Sequence, residues 1–183
     1  MRLKPEQLAQ HLQKELKPLY IISGDEPLLE QEICDQVRAA VKAQGFDERE
    51  VHHVEGNFKW GELLEAANAL SLFSSRKLIE IRIENGKPGD QGSKALMELF
   101  ANPNPDNIVM LQLPKIDKAA TNSKWFKTLD QIGVFIQHWP IERNQLPSWL
   151  ANRMRQFGMK ADRDALALLA DRTDGNLLAG AQE

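Results

Sequence analysis

Apolar residues along this chain switch between two spacings. Leu8, Leu12 and Leu16 recur every fourth residue behind Pro5, so residues 5–16 read as a helix that Lys17-Pro18 stops. Leu19-Tyr20-Ile21-Ile22 is a continuous apolar run closed by Ser23-Gly24, the pattern of a strand buried on both faces. Pro27 then opens a long helix with Leu29, Ile33, Val37, Ala40 and Val41 in phase, ending before Gly45. The same alternation continues: strand at 50–54, helix at 60–70, strand at 78–83, helix at 93–100, strand at 108–111, helix at 121–129 and strand at 134–137. In the strand at 78–83, Glu80 and Arg82 interrupt the apolar positions, which predicts one less buried face.

Five strands separated by helices predict an α/β fold, a five-stranded parallel sheet with helices on both faces. After Trp139-Pro140 the strand patterns stop, and residues 146–157, 163–173 and 176 onward are all helical, broken at Gly158 and Gly175. This shift predicts a boundary near Pro140, with an α/β domain over 1–140 and a small helical domain over 141–183. No stop signal follows Gly180, so the expectation is a fragment cut within the helical part.

Composition narrows the function classes only a little. Hydrophobic residues make up 42% and charged residues 27%, enough for a core and typical of a globular protein in water. The formal charge of -3 gives no overall attraction to nucleic acid or to an anionic membrane. The single cysteine, Cys34, lies in phase with Ile33 and Val37 and reads as a core residue. With no apolar leader at the start and no long apolar run, the expected location is the cytoplasm, with no membrane partner.

The turn after the first buried strand is where a parallel α/β sheet offers a helix N-terminus to phosphate. Here it reads Gly24-Asp25-Glu26-Pro27. Counting from Gly24, the Gly-Lys-Ser/Thr positions of a phosphate loop hold Leu29, Glu30 and Gln31. Two acids sit where triphosphate would lie, and Pro27 removes an N–H donor. The strand at 108–111 is followed by Gln112-Leu113-Pro114, with no carboxylate to hold magnesium. The expectation is therefore no cofactor and no catalytic residue. Adjacent His52 and His53 point to opposite sides of a strand and cannot chelate one metal, so no metal site is expected. Lys115, Lys118, Lys124 and Lys127 surround Trp125-Phe126, and Arg153, Arg155, Lys160 and Arg163 cluster further on. The plain reading of both is a solvated helix face over buried aromatics; the competing one is a nucleic-acid surface.

The stretch Leu70-Ser71-Leu72-Phe73 joins a helical pattern to a strand, and it places two large apolar residues side by side in a connection. Such residues either tuck back onto the core or wait for a partner. Periodicity alone leaves both open.

Several of these stretches together resemble the family of bacterial DNA polymerase III delta subunits. They are Arg2-Leu3-Lys4-Pro5-Glu6-Gln7-Leu8, Leu19 to Leu29, Ala69 to Lys77, Lys124-Trp125-Phe126, Gln145 to Leu150 and Asp174 to Ala179. The resemblance implies a first domain of the AAA+ type with a degenerate phosphate loop, followed by a small lid-like helical domain. A third, helical domain that joins the other clamp-loader subunits would be missing here. It further implies a non-hydrolysing subunit that binds the ring-shaped sliding clamp, the beta subunit, and opens one interface for loading onto primed DNA. No intrinsic catalysis is then expected of the chain, although its assembly would belong to a polymerase holoenzyme. In that family an apolar wedge at the end of the helix before the strand grips the clamp. The matching residues are Leu70, Ser71, Leu72 and Phe73, with Asn68 where the family's pattern opens on Gln. The alternatives are a nucleotide hydrolase related to the phosphate-loop enzymes and a DNA-binding module.

Overall fold

The apolar runs form a parallel sheet, and each of its inner strands is covered on both faces. The structure, a computed structural model, describes residues 1–69, 76–173 and 176–182. Its described part divides into two units, Met1–His138 and Trp139–Glu183.

The first unit contains strands β1 (Arg2–Leu3), β2 (Leu19–Ser23), β3 (Glu48–His53), β4 (Lys77–Arg82), β5 (Asn107–Leu113) and β6 (Val134–Gln137). They form one six-stranded sheet in the order β1-β6-β2-β5-β4-β3, and every pair is parallel. The sheet therefore has one strand more than the five expected. The addition is β1, two residues long, paired through Arg2↔Phe135 and Leu3↔Ile136. Two residues cannot display an alternation, so periodicity had nothing to register.

Strand alternation decides which helices cover which face. Tyr20, Ile22, Leu78, Ile108, Met110, Val134 and Ile136 point to a layer made by α1 (Pro5–Lys14) and α2 (Pro27–Ala43). Leu19, Ile21, Ile79, Ile81, Val109, Leu111 and Phe135 point the other way. They meet α3 (Trp60–Asn68), α4 (Gly89–Leu99) and α6 (Lys124–Ile132). The edge strand β3 is mostly polar, with Glu48, Arg49, Glu50, His52 and His53, which discourages pairing with another chain.

Two helices begin elsewhere than the sequence pattern suggests. Helix α4 starts at Gly89, ahead of Ser93, because its glycine-rich first turn looks like a loop. The helix expected at 121–129 is two helices, α5 (Lys118–Asn122) and α6. Ser123 separates them: it closes α5 in an extended conformation, and its hydroxyl accepts from the Phe126 N–H to open α6.

The second unit packs α7 (Leu146–Gln156), α8 (Arg163–Thr173) and α9 (Leu177–Gln182) around Leu146, Leu150, Ala170, Thr173 and Leu177. Asp162 caps α8 and Asn176 caps α9 through their side-chain oxygens. Phe157, Met159, Leu168 and Leu178 stay exposed. Among the described residues, no helix is long and apolar enough to cross a membrane.

Candidate functional site

Two stretches were singled out from the sequence, residues 70–73 and the turn at Gly24. Leu70, Ser71, Leu72 and Phe73 lie outside the described residues. Their flanks are described: Ala69 follows α3, and Arg76 leads into β4 at the end of the sheet where β4 and β5 begin. Gly24, Asp25, Glu26 and Pro27 follow the end of β2. A strand of six residues puts roughly 20 Å between those two ends.

The flanks of residues 70–75 are held by specific hydrogen bonds. The last four carbonyls of a helix have no partner within it. In α3 the first of these, Glu65, accepts from the Ala69 N–H at 2.8 Å. The Ala66 carbonyl accepts from Lys77 Nζ at 2.6 Å, and the Ala67 carbonyl accepts from Asn107 Nδ2 at 2.6 Å. Lys77 also brings positive charge to the negative end of the helix dipole. Both donors stand at the first residue of a strand, β4 and β5, so the starts of two inner strands cap the helix. On the re-entry side the Arg76 guanidinium lies 3.8 Å from the Phe46 ring centre. Its Nη1 donates to the Gln44 carbonyl at 2.8 Å. The Arg76 carbonyl in turn accepts from the Glu48 N–H.

At the other end, the turn after β2 is tied down by its own chain. Ser23 Oγ donates to the Pro114 carbonyl at 2.8 Å, and Asp25 Oδ1 accepts from the Lys115 N–H at 2.8 Å. Glu26 occupies the N-cap of α2 and accepts from Leu28 N, while Pro27 fills the first helical position. The His138 ring packs directly on Gly24, where a Cβ would overlap it. His138 is only 2% exposed and neither ring nitrogen has a partner. Burial lowers its pKa, opposed by the charge of Asp25, so the ring is neutral at physiological pH.

Beside this turn a cleft of about 580 Å³ runs along the strand ends, lined among others by Glu30, Arg38, Arg49, Arg82 and Gln112. Behind two of its lining residues, Arg38 and Arg49, lies their shared partner Glu80, which is fully buried. This corrects the expectation of a less buried face on that strand. Arg38 Nε and Nη2 donate to the Glu80 oxygens at 2.7 and 2.8 Å, and Arg49 Nε and Nη2 at 2.6 and 3.0 Å. Gln112 adds a bond at 3.3 Å. Burial alone would raise the Glu80 carboxyl, but the bonds from Arg38 and Arg49 outweigh it and hold the pKa down to about 2. The group thus ties α2, β3, β4 and β5 together from the inside. Cys34 lies in the same layer, where burial pushes its thiol up to about 12, far from a nucleophile's range.

Trp125 and Phe126 are buried in the core, so neither offers a ring face to a base. His52 sits against Phe58, whereas His53 lines the cleft, on the other side of β3. Sequence reasoning missed Lys77 and Asn107 as helix caps, and Arg38 and Arg49 as partners of Glu80. Glu80 itself was the available signal: a carboxylate inside an apolar strand requires cations from its neighbours. The capping roles had no local signal, because the donors lie 11 and 40 residues from the carbonyls they cap, outside the first few positions where a helix cap is read.

Comparison with known proteins adds the following. The sequence model of the family described as "DNA polymerase III, delta subunit" matches residues 20–138. The chain is 34% identical over 182 residues to the DNA polymerase III subunit delta of Escherichia coli (strain K12), covering 100% of this chain and 53% of that protein. It is 32% identical over 182 residues to the Haemophilus influenzae counterpart, covering 97% of this chain and 52% of that one. The chain therefore spans about half the length of the curated relatives it matches. Among solved structures, the DNA clamp loader delta protein of Bacillus subtilis superposes with a TM-score of 0.74 at 17% identity, covering 97% of this chain and 55% of that chain. At that identity the likeness is one of fold.

Proposed function

The chain belongs to the DNA polymerase III delta-subunit family, and from that premise we propose that it binds the sliding clamp through Leu70, Ser71, Leu72 and Phe73 and opens one interface of the ring. The α/β unit, read as an AAA+ domain whose phosphate loop is degenerate, serves to hold that segment. Residues 141–183 would be part of a lid-like domain. Contacts with the other loader subunits would come mainly from chain beyond residue 183, with primed DNA engaged by the whole complex in the cytoplasm.

The observation that carries this reading is the apolar pair Leu72-Phe73 within a connection whose two flanks are pinned by hydrogen bonds. Apolar anchors presented from a rigid base are what a hot-spot interface requires. Opening the ring needs only that the segment bind the opened clamp more tightly than the closed one.

The residues at the Gly24 turn do not fit a nucleotide. Asp25, Glu26 and Glu30 repel phosphate, Pro27 lacks an N–H, and the His138 ring covers the Gly24 position where backbone and phosphate would meet. No step of the mechanism passes through ATP.

Calorimetric titrations test the proposal against its rival. The chain is expected to bind the sliding clamp of its own organism and to give no heat with ATP and magnesium. Micromolar ATP binding without clamp binding would support the hydrolase reading instead.

A further inference from the structure

We infer that Lys77 and Asn107 are positioning residues for the clamp-binding segment: from the starts of β4 and β5 they cap the last turn of α3, the described helix end that precedes residues 70–75 in the chain. The inference rests on the clamp-binding reading.

A helix end usually takes its caps from the residues that follow it in sequence. Here the Ala66 and Ala67 carbonyls are taken by side chains of two different strands. Lys77 is the first residue of β4 and Asn107 the first of β5, and the two strands are paired at that register, Lys77↔Asn107. The bonds are sheltered: Asn107 is only 8% exposed, and the Lys77 side chain 16%. Lys77 is further steadied by Glu50 at 3.4 Å, from β3. The end of α3 is thereby locked to three adjacent strands. A helix end that is already held in place has less order to gain when the chain next to it engages a partner. Neither Lys77 nor Asn107 needs to touch the clamp for this effect.

The test uses Lys77→Met, which keeps the stem and removes the donor, and Asn107→Leu, which keeps the volume. Both changes are made singly and together, and clamp affinity is titrated where circular dichroism shows each variant folded. Glu80→Gln is the control, because it loosens the same domain in the middle of β4 without touching the caps on α3. The double variant is expected to bind the clamp about tenfold more weakly, from the ordering cost it restores. Glu80→Gln should stay within about twofold, whatever its loss of stability, since only folded protein is being titrated.

Clamp affinity within about twofold of wild type for the double variant overturns the inference. So does an affinity loss that tracks unfolding midpoints across all the variants, Glu80→Gln included. Should the double variant fail to fold, Lys77→Met alone is compared in the same way, with about threefold weakening expected. Leu72→Ala with Phe73→Ala, run alongside, separates the two claims. If that pair keeps full affinity, the clamp-binding reading falls and this inference with it. If the pair loses affinity while the Lys77 and Asn107 variants do not, the positioning claim alone is wrong.

Discussion

Replacing Leu72 and Phe73 together by alanine is expected to weaken binding to the sliding clamp by roughly a hundredfold to ten-thousandfold. Each side chain buried in a clamp pocket would contribute about 1.5–3 kcal/mol. The pair would thus supply about 3–6 kcal/mol, and every 1.4 kcal/mol corresponds to about tenfold in affinity. The fold should be untouched. Among the described residues, Leu63 and Ala67 of α3 pack against the sheet with Ile79 and Val109. Surface plasmon resonance gives the affinity, and far-ultraviolet circular dichroism reports the fold. Wild-type affinity in a folded double variant contradicts the proposed contact. A variant that unfolds would instead return Leu72 and Phe73 to the core-residue reading.

Substituting Glu80 by glutamine is expected to cost about 3 kcal/mol of folding free energy at pH 7. The carboxyl is held at about 2 in the folded chain, after burial has been outweighed by Arg38 and Arg49. An unfolded glutamate titrates near 4.3, and each unit of difference is worth about 1.4 kcal/mol. Glu80 has no exposed side-chain surface, whereas Arg49 is 48% exposed, so solvent softens the Arg49 share more than the Arg38 share. The sign of the pH dependence follows from the depressed pKa. Between about pH 2 and 4.3 the unfolded chain binds the extra proton, so the contribution is complete above about pH 5 and disappears as pH falls through about 2. Urea unfolding of wild type and Glu80→Gln should therefore differ by about 3 kcal/mol at pH 7, with the curves converging toward pH 2. A gap under about 0.5 kcal/mol at pH 7, or one independent of pH, would show that the arginines are satisfied by water instead.

These two residues also mark what the sequence could disclose. The strands β2, β5 and β6 were legible because continuous apolar runs bounded by turn residues have few other folded outcomes. The mismatch between the Gly24 turn and a phosphate-loop pattern was legible because that pattern is defined by residue types at fixed spacing. Glu80 was misread because alternation reports average polarity, and a carboxylate neutralised from α2 and β3 looks the same in sequence as one facing water. Arg38 and Arg49 lie 42 and 31 residues from Glu80, beyond any local pattern. His138, pressed on Gly24 from the end of β6, was hidden for the same reason. The split between α5 and α6 was local, by contrast, and the Asn122-Ser123 pair could have signalled it through the capping preference of serine. For Leu72 and Phe73 periodicity offered two outcomes, and the commonness of exposed apolar residues tilted the reading toward the core. Only the resemblance carried by the stretches around them chose between those outcomes, and family membership supports that choice.

Hydrogen exchange along this chain, measured with and without the sliding clamp, reaches the central claim most directly. The account predicts that clamp binding slows exchange in the connection between α3 and β4, residues 70–75. The amides around Gly24 and those of α7 to α9 should be unchanged. Slowed exchange at the Gly24 turn or in the helical unit, with residues 70–75 unaffected, would contradict it.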